Sequence, residues 1–74
     1  MAINSEILNF MTYCISQLAN RLHLSQQEVY KRLKVSGILY DYIVPSYDVL
    51  HTFGSRYLID DITDYMQEKG VLPT

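Results

Sequence analysis

A thiol beside an imidazole is the smallest nucleophile and base pair a chain can assemble, and this sequence holds one cysteine, Cys14, and two histidines, His23 and His51. Cys14 falls midway along a run of apolar residues at helical spacing. There a free cysteine behaves as a small hydrophobe, and nothing near it in sequence favours the thiolate. One Cys and two His also lack the paired three- or four-residue ligand spacing of a zinc site. Asp48 with His51, and Asp60 with Asp61 and Asp64, remain as carboxylate alternatives. Their plainer readings are a hydrogen bond from His51 to Asp48 one turn earlier and a solvated helix face. Paired catalytic carboxylates need one member out of water, and these acids lie on the polar side of an amphipathic stretch. Gly37, Gly54 and Gly70 are too far apart to form a phosphate loop, and each sits where a helix should end. The sequence predicts no catalytic, cofactor-binding or metal site.

Two other groups of residues have the chemistry of recognition. Leu18, Ala19, Leu22, Leu24 and Val29 follow the apolar pattern of a helix-turn-helix, with Ala19 at the crossing, Val29 ten residues on and Ser25 as cap. Gln26, Gln27, Tyr30, Lys31 and Lys34 would then face a DNA groove, where amides and amines meet base edges and phosphates. Against this, the turn position usually held by Gly is His23, and the rest of the surface is acidic. An ordinary helical hairpin explains the same pattern. The second group is the tyrosines, seven in all, with Tyr40, Tyr42, Tyr47 and Tyr57 around Pro45 and Gly54. Tyrosine buries a ring and keeps its hydroxyl wet, so these residues suit either the rim of a thin core or an interface.

The elements that must position these residues read as helices. Ile3, Ile7, Phe10, Met11, Cys14, Ile15, Leu18 and Leu22 recur at steps of three and four, predicting a helix from about Ser5 to Leu22 capped by Asn4 or Ser5. Ser25 with Glu28 is a capping box, and Leu24 with Val29 a hydrophobic staple, so a second helix should run from Gln26 to about Val35 and bury Val29, Leu33 and part of Tyr30. Ser36 and Gly37 close it. Residues 38–44 are rich in β-branched and aromatic types, yet no partner strand exists, so a short helix or an extended plug is expected. Pro45 ends that segment. A short helix from Tyr47 to Thr52 should turn Val49 and Leu50 inward, and a last helix from Ser55 to Lys69 should bury Leu58, Ile62, Tyr65 and Met66. Asp60, Asp61, Asp64 and Glu68 should stay in water. Gly70 fits a left-handed cap that brings Val71 to Met66, and Leu72 to Thr74 reads as a tail.

Composition sets the outer bounds. Of 74 residues 49% are hydrophobic and 19% charged, a globular balance, and a chain this short leaves little surplus stability in its core. The longest apolar run is about three residues, far short of the roughly 18 that span a bilayer, and no signal-peptide pattern occupies Met1 to Phe10. One cysteine forms no internal disulfide, which fits a reducing compartment. Net charge is -2, divided unevenly: +2 over residues 1–37 and -4 over residues 38–74. An acidic total argues against a dedicated nucleic-acid binder.

The block Tyr47, Asp48, Val49, Leu50, His51, Thr52, then Gly54 and Tyr57, resembles that of a bacterial family of short proteins of unknown function. The likeness extends through Phe10 to Ile15, Glu28 to Tyr30 with Leu33, Ser36 to Leu39, Tyr42, Ile43, Pro45, Asp60 and Asp61. Members are often encoded beside a protein resembling ADP-ribosyltransferases, which implies a paired system of toxin and neutraliser, or of enzyme and accessory. The resemblance assigns no activity and no functional residue.

Together these readings predict one all-α domain, a small orthogonal bundle of three main helices plus one or two short ones, with a helix-turn-helix-like hairpin over residues 5–35. The expected role is a non-enzymatic, cytoplasmic interaction module without a cofactor, homo-oligomeric or bound to a protein from its own operon. Tyr40, Tyr42, Tyr47, Asp48, His51 and Tyr57 are its expected docking residues. DNA binding through residues 18–34 is the alternative, and a small enzyme the third.

Overall fold

The apolar stripe of the first segment forms one long helix. In the computed structural model, which describes residues 3–72, α1 runs Ser5–Leu22, and the Asn4 side chain accepts a hydrogen bond from the Ile7 N–H at 2.8 Å. Met11, Cys14, Leu18 and Ala19 are buried, Ile7, Phe10, Ile15 and Leu22 half-buried, and Ile3 is exposed, outside the stripe assigned to it. The helix stops at His23, whose φ of 56° is left-handed; its N–H and that of Leu24 both donate to the Ala19 carbonyl. Three residues therefore suffice to turn the chain into α2, Gln26–Ser36.

Ser25 caps α2 as expected, its hydroxyl accepting from the Glu28 N–H at 3.1 Å. The reciprocal half of the capping box is not made. The Glu28 carboxylate accepts instead from Arg32 Nε at 3.1 Å, one turn on, because the charged partner outcompetes a neutral backbone donor. Val29 and Leu33 are fully buried, whereas Tyr30 lies at the surface. Gly37 closes α2 with φ 86°, and a Cβ there would stand 2.9 Å from the Asp41 carboxylate.

Residues 38–44 are neither strand nor ordinary helix. Leu39–Ile43 make a π-helical turn, in which the Val44 N–H reaches the Leu39 carbonyl at 3.0 Å. The wider turn lines up residues five apart, so Ile38 with Ile43 and Leu39 with Val44 face the core together while Tyr40 and Asp41 face water. A single-turn helix, α3, spans Tyr47–Leu50 and ends two residues before the expected Thr52. Neighbouring helical positions point about 100° apart, and the single turn of α3 meets the core on one side. Leu50 enters it, at 2% exposure, and Val49 is 59% exposed, contrary to the inward pair expected.

The last helix, α4, is Ser55–Glu68, and it buries Leu58, Ile59, Ile62 and Met66. Tyr65 is half-buried, and Asp61 is drawn partly out of water by Tyr42, against its expected place on the wet face. Gly70, at φ 72°, ends the helix with the Val71 N–H donating to the Met66 carbonyl at 3.1 Å. Pro73 and Thr74 of the expected tail lie outside the described residues. All four helices and the π turn contribute to one contiguous apolar core, and the Cα radius of gyration is 11.3 Å. The architecture is a small all-helical bundle, with no strand among the described residues.

Two bridges tie the first half of the chain to the last helix and the segment just after it. Arg21 Nη1 meets Asp60 at 2.7 Å, and Arg32 Nη1 donates to the Val71 carbonyl at 2.8 Å. No helix among the described residues is long and apolar enough to cross a membrane.

Candidate functional site

Cys14, His23 and His51 form no hydrogen-bonded pair among the described residues. Cys14 is fully buried, and burial pushes its thiol up to about 12, far from the thiolate a nucleophile requires. His23 is an exposed helix terminator, and neither histidine is hydrogen-bonded to the thiol among the described residues. His51 is exposed rather than partly buried, and it does not bond Asp48. Its Nδ1 donates to the Tyr47 carbonyl at 2.7 Å, and its ring stacks on that of Tyr47 with centroids 4.5 Å apart and an interplanar angle of 13°. A residue three back along a one-turn helix is displaced sideways, whereas the carbonyl four back lies directly below the ring. No group of three or more His, Cys, Asp or Glu close enough to hold a metal ion occurs among the described residues.

The six expected docking residues have different partners. Tyr40 reaches back to α2, its hydroxyl 3.5 Å from that of Tyr30, and this contact raises its pKa. Tyr42 turns inward: its O–H donates to Asp61 at 2.6 Å and its ring meets Tyr65 edge-on at 5.0 Å. Burial, and then the Asp61 carboxylate, push the Tyr42 hydroxyl up to about 12. Tyr57, 65% exposed, packs edge-on against Phe53 at 4.9 Å. Tyr57 and Tyr65 are near enough to Tyr42 to bear on its hydroxyl, whereas Tyr40 pairs with Tyr30, a division that spacing along the chain does not reveal.

Tyr47, Asp48 and His51 do come together. Tyr47 is held between Phe10 of α1, edge-on at 5.3 Å, and the stacked His51 ring. Beside this column lies an open cleft of about 280 Å³ lined by Ile7, Val44, Pro45, Tyr47 and Asp48. Its walls are mostly apolar, with the Asp48 carboxylate as the charged group of the lining, and Asp48 takes part in neither of the two ion pairs. Such a surface can take an apolar side chain and hold a cationic or hydrogen-bond-donating neighbour at its edge. Ile7 and Phe10 are the residues that sequence reading left in the core; the step of three between them is a helix-face signal that marks a cleft wall equally well. A larger, more polar cleft of about 390 Å³ lies between α1 and the start of α4, lined by Gln17, Asn20, Arg21, Ser55, Arg56 and Ile59.

The family described as Protein of unknown function (DUF3791) matches residues 9–69. The chain belongs to that family. The match begins inside α1 and runs to the end of α4, so it includes Phe10 and the whole Tyr47 to His51 column. No curated protein and no solved structure matches the chain. The alternative set Gln26, Gln27, Tyr30, Lys31 and Lys34, also within the matched span, is exposed throughout.

Proposed function

We propose that this chain is a non-enzymatic interaction module that docks a protein partner in the cleft beside Tyr47. The observation that carries the reading is the Phe10, Tyr47 and His51 column. The three rings pack edge-to-face and face-to-face, and Tyr47, held between the other two, lines an open cleft; a packed aromatic at a pocket is where binding energy concentrates at protein interfaces. The burial and high pKa of Cys14 support a role without thiol chemistry.

The partner we assign is a protein encoded beside it, resembling an ADP-ribosyltransferase, in a bacterial cytoplasm, and the module occludes or positions that partner. A thin core and exposed Val49 and Tyr57 favour self-association as a second use of the same half of the molecule. Co-expression with the adjacent gene tests this directly. The two products should co-purify in fixed ratio, and Asp48→Lys, at an exposed position, should release the partner while leaving the helical circular dichroism unchanged. A chain that purifies alone, or a complex indifferent to Asp48→Lys and His51→Ala together, overturns the reading.

A further inference from the structure

The junction between α1 and α2 has a use that the Tyr47 cleft does not require. Ala19 is buried at the junction, and His23 takes the left-handed conformation that a three-residue turn needs. Ser25 caps the following helix, and Val29 and Leu33 anchor it from beneath. The π turn, which follows directly, packs against α2 from the same side as α1. The face of α2 turned from the core exposes Gln26, Gln27, Tyr30, Lys31 and Lys34, with the Tyr30 hydroxyl 3.5 Å from that of Tyr40 and Lys31 at the edge of a cleft shared with Gly70 and Val71. His23, whose identity argued against a helix-turn-helix, has the backbone conformation that glycine usually supplies there.

We propose that α2 enters the major groove of duplex DNA. A helix with its side chains is about 10–12 Å across, close to the width of that groove. The two glutamines stand at the helix start, where the side chains of a recognition helix reach base edges, and a primary amide offers a donor and an acceptor to adenine. Lys31 and Lys34 follow at a step of three, on the side where phosphates flank the groove. Lys34 lies over the Tyr30 ring at 5.8 Å, and the Tyr30 hydroxyl is turned to that of Tyr40. Glu28, the acid of this helix, is neutralised by Arg32. Charge separation supports the orientation: the half of the chain containing α2 carries +2, and the half that would repel DNA carries -4.

An acidic protein face is the competing occupant of two lysines flanked by amides, and the test separates them. The full chain is titrated into a labelled duplex about three helical turns long at about 50 mM salt, and separately into a labelled polyglutamate peptide. We expect polarisation to rise with the duplex, and affinity to fall about 12-fold per bound copy between about 50 and 200 mM salt, the slope for two neutralised phosphates. The double variant Lys31→Glu with Lys34→Glu should lose at least tenfold in affinity while keeping its helical spectrum; Gln26→Ala should weaken binding without changing the salt slope. Three results overturn the proposal: no duplex binding up to about 100 µM protein, duplex binding that the double variant leaves intact, or capture of polyglutamate with none of the duplex. Asp48→Lys should leave duplex binding in place, so this result stands apart from the docking of a protein at the Tyr47 cleft.

Discussion

Single side chains carry the sharpest tests. Cys14 should resist alkylation in the folded protein at neutral pH and react only on unfolding, so labelling by iodoacetamide should track denaturant; rapid labelling of native protein contradicts the buried thiol. Tyr42 gives a pH prediction with a definite sign. Its folded pKa is raised from an ordinary 10.0 to about 12, so the stability it contributes is complete below pH 10 and is lost as pH rises toward 12. Tyr42→Phe should cost about 1 kcal/mol at pH 7 and remove part of the alkaline decline, readable in urea melts at both ends of that range. Thr63 offers the opposite sign. Its hydroxyl is buried with no partner among the described residues, so Thr63→Val should be neutral or stabilising by about 1 kcal/mol. At this scale the sequence was least informative. The partners of His51 and Glu28 differ from those expected because two acceptors compete for His51 and two donors for Glu28 within one turn, and side-chain direction decides between them.

Elements were legible wherever a local rule specified them. The capping serine, the helical period of α1 and the closing glycines placed α1, α2 and α4 to within a residue or two, since each signal is satisfied by neighbours in sequence. Residues 38–44 resisted because their inward pairs are five apart, a spacing that matches neither strand nor α-helix, and only packing against α2 reveals it. The turn at His23 yields a prediction here. A non-glycine residue in the left-handed region costs about 1 kcal/mol, so His23→Gly should raise the melting temperature by roughly 4–8 °C, and Ser25→Ala should lower stability by about 1 kcal/mol. A His23→Gly variant with an unchanged or lower melting temperature would mean that the imidazole makes a compensating contact.

For the whole molecule, the all-helical class followed from composition and period, but the grouping of surface residues did not. Tyr40, Tyr42 and Tyr57 take separate partners, Tyr30 on α2, Asp61 on α4 and Phe53 ahead of α4, which no spacing along the chain announces. The Tyr47 cleft needs Ile7 and Phe10 from forty residues away, a pairing no local pattern announces. One shared core also means that damage anywhere is felt everywhere. Leu33→Ala, at a fully buried position, should cost about 2–5 kcal/mol, enough to unfold most of a chain this small, as thermal melts would show. The bridges Arg21 to Asp60 and Arg32 to Val71 span the same separation, 39 residues. The hairpin of α1 and α2 is therefore made well before either of its distant tethers. At about 5–20 residues per second, the synthesis of Asp60 and Val71 follows that of Arg21 and Arg32 by several seconds. Folding of this short chain is thus an event of the finished polypeptide, closed by the last residues to be added.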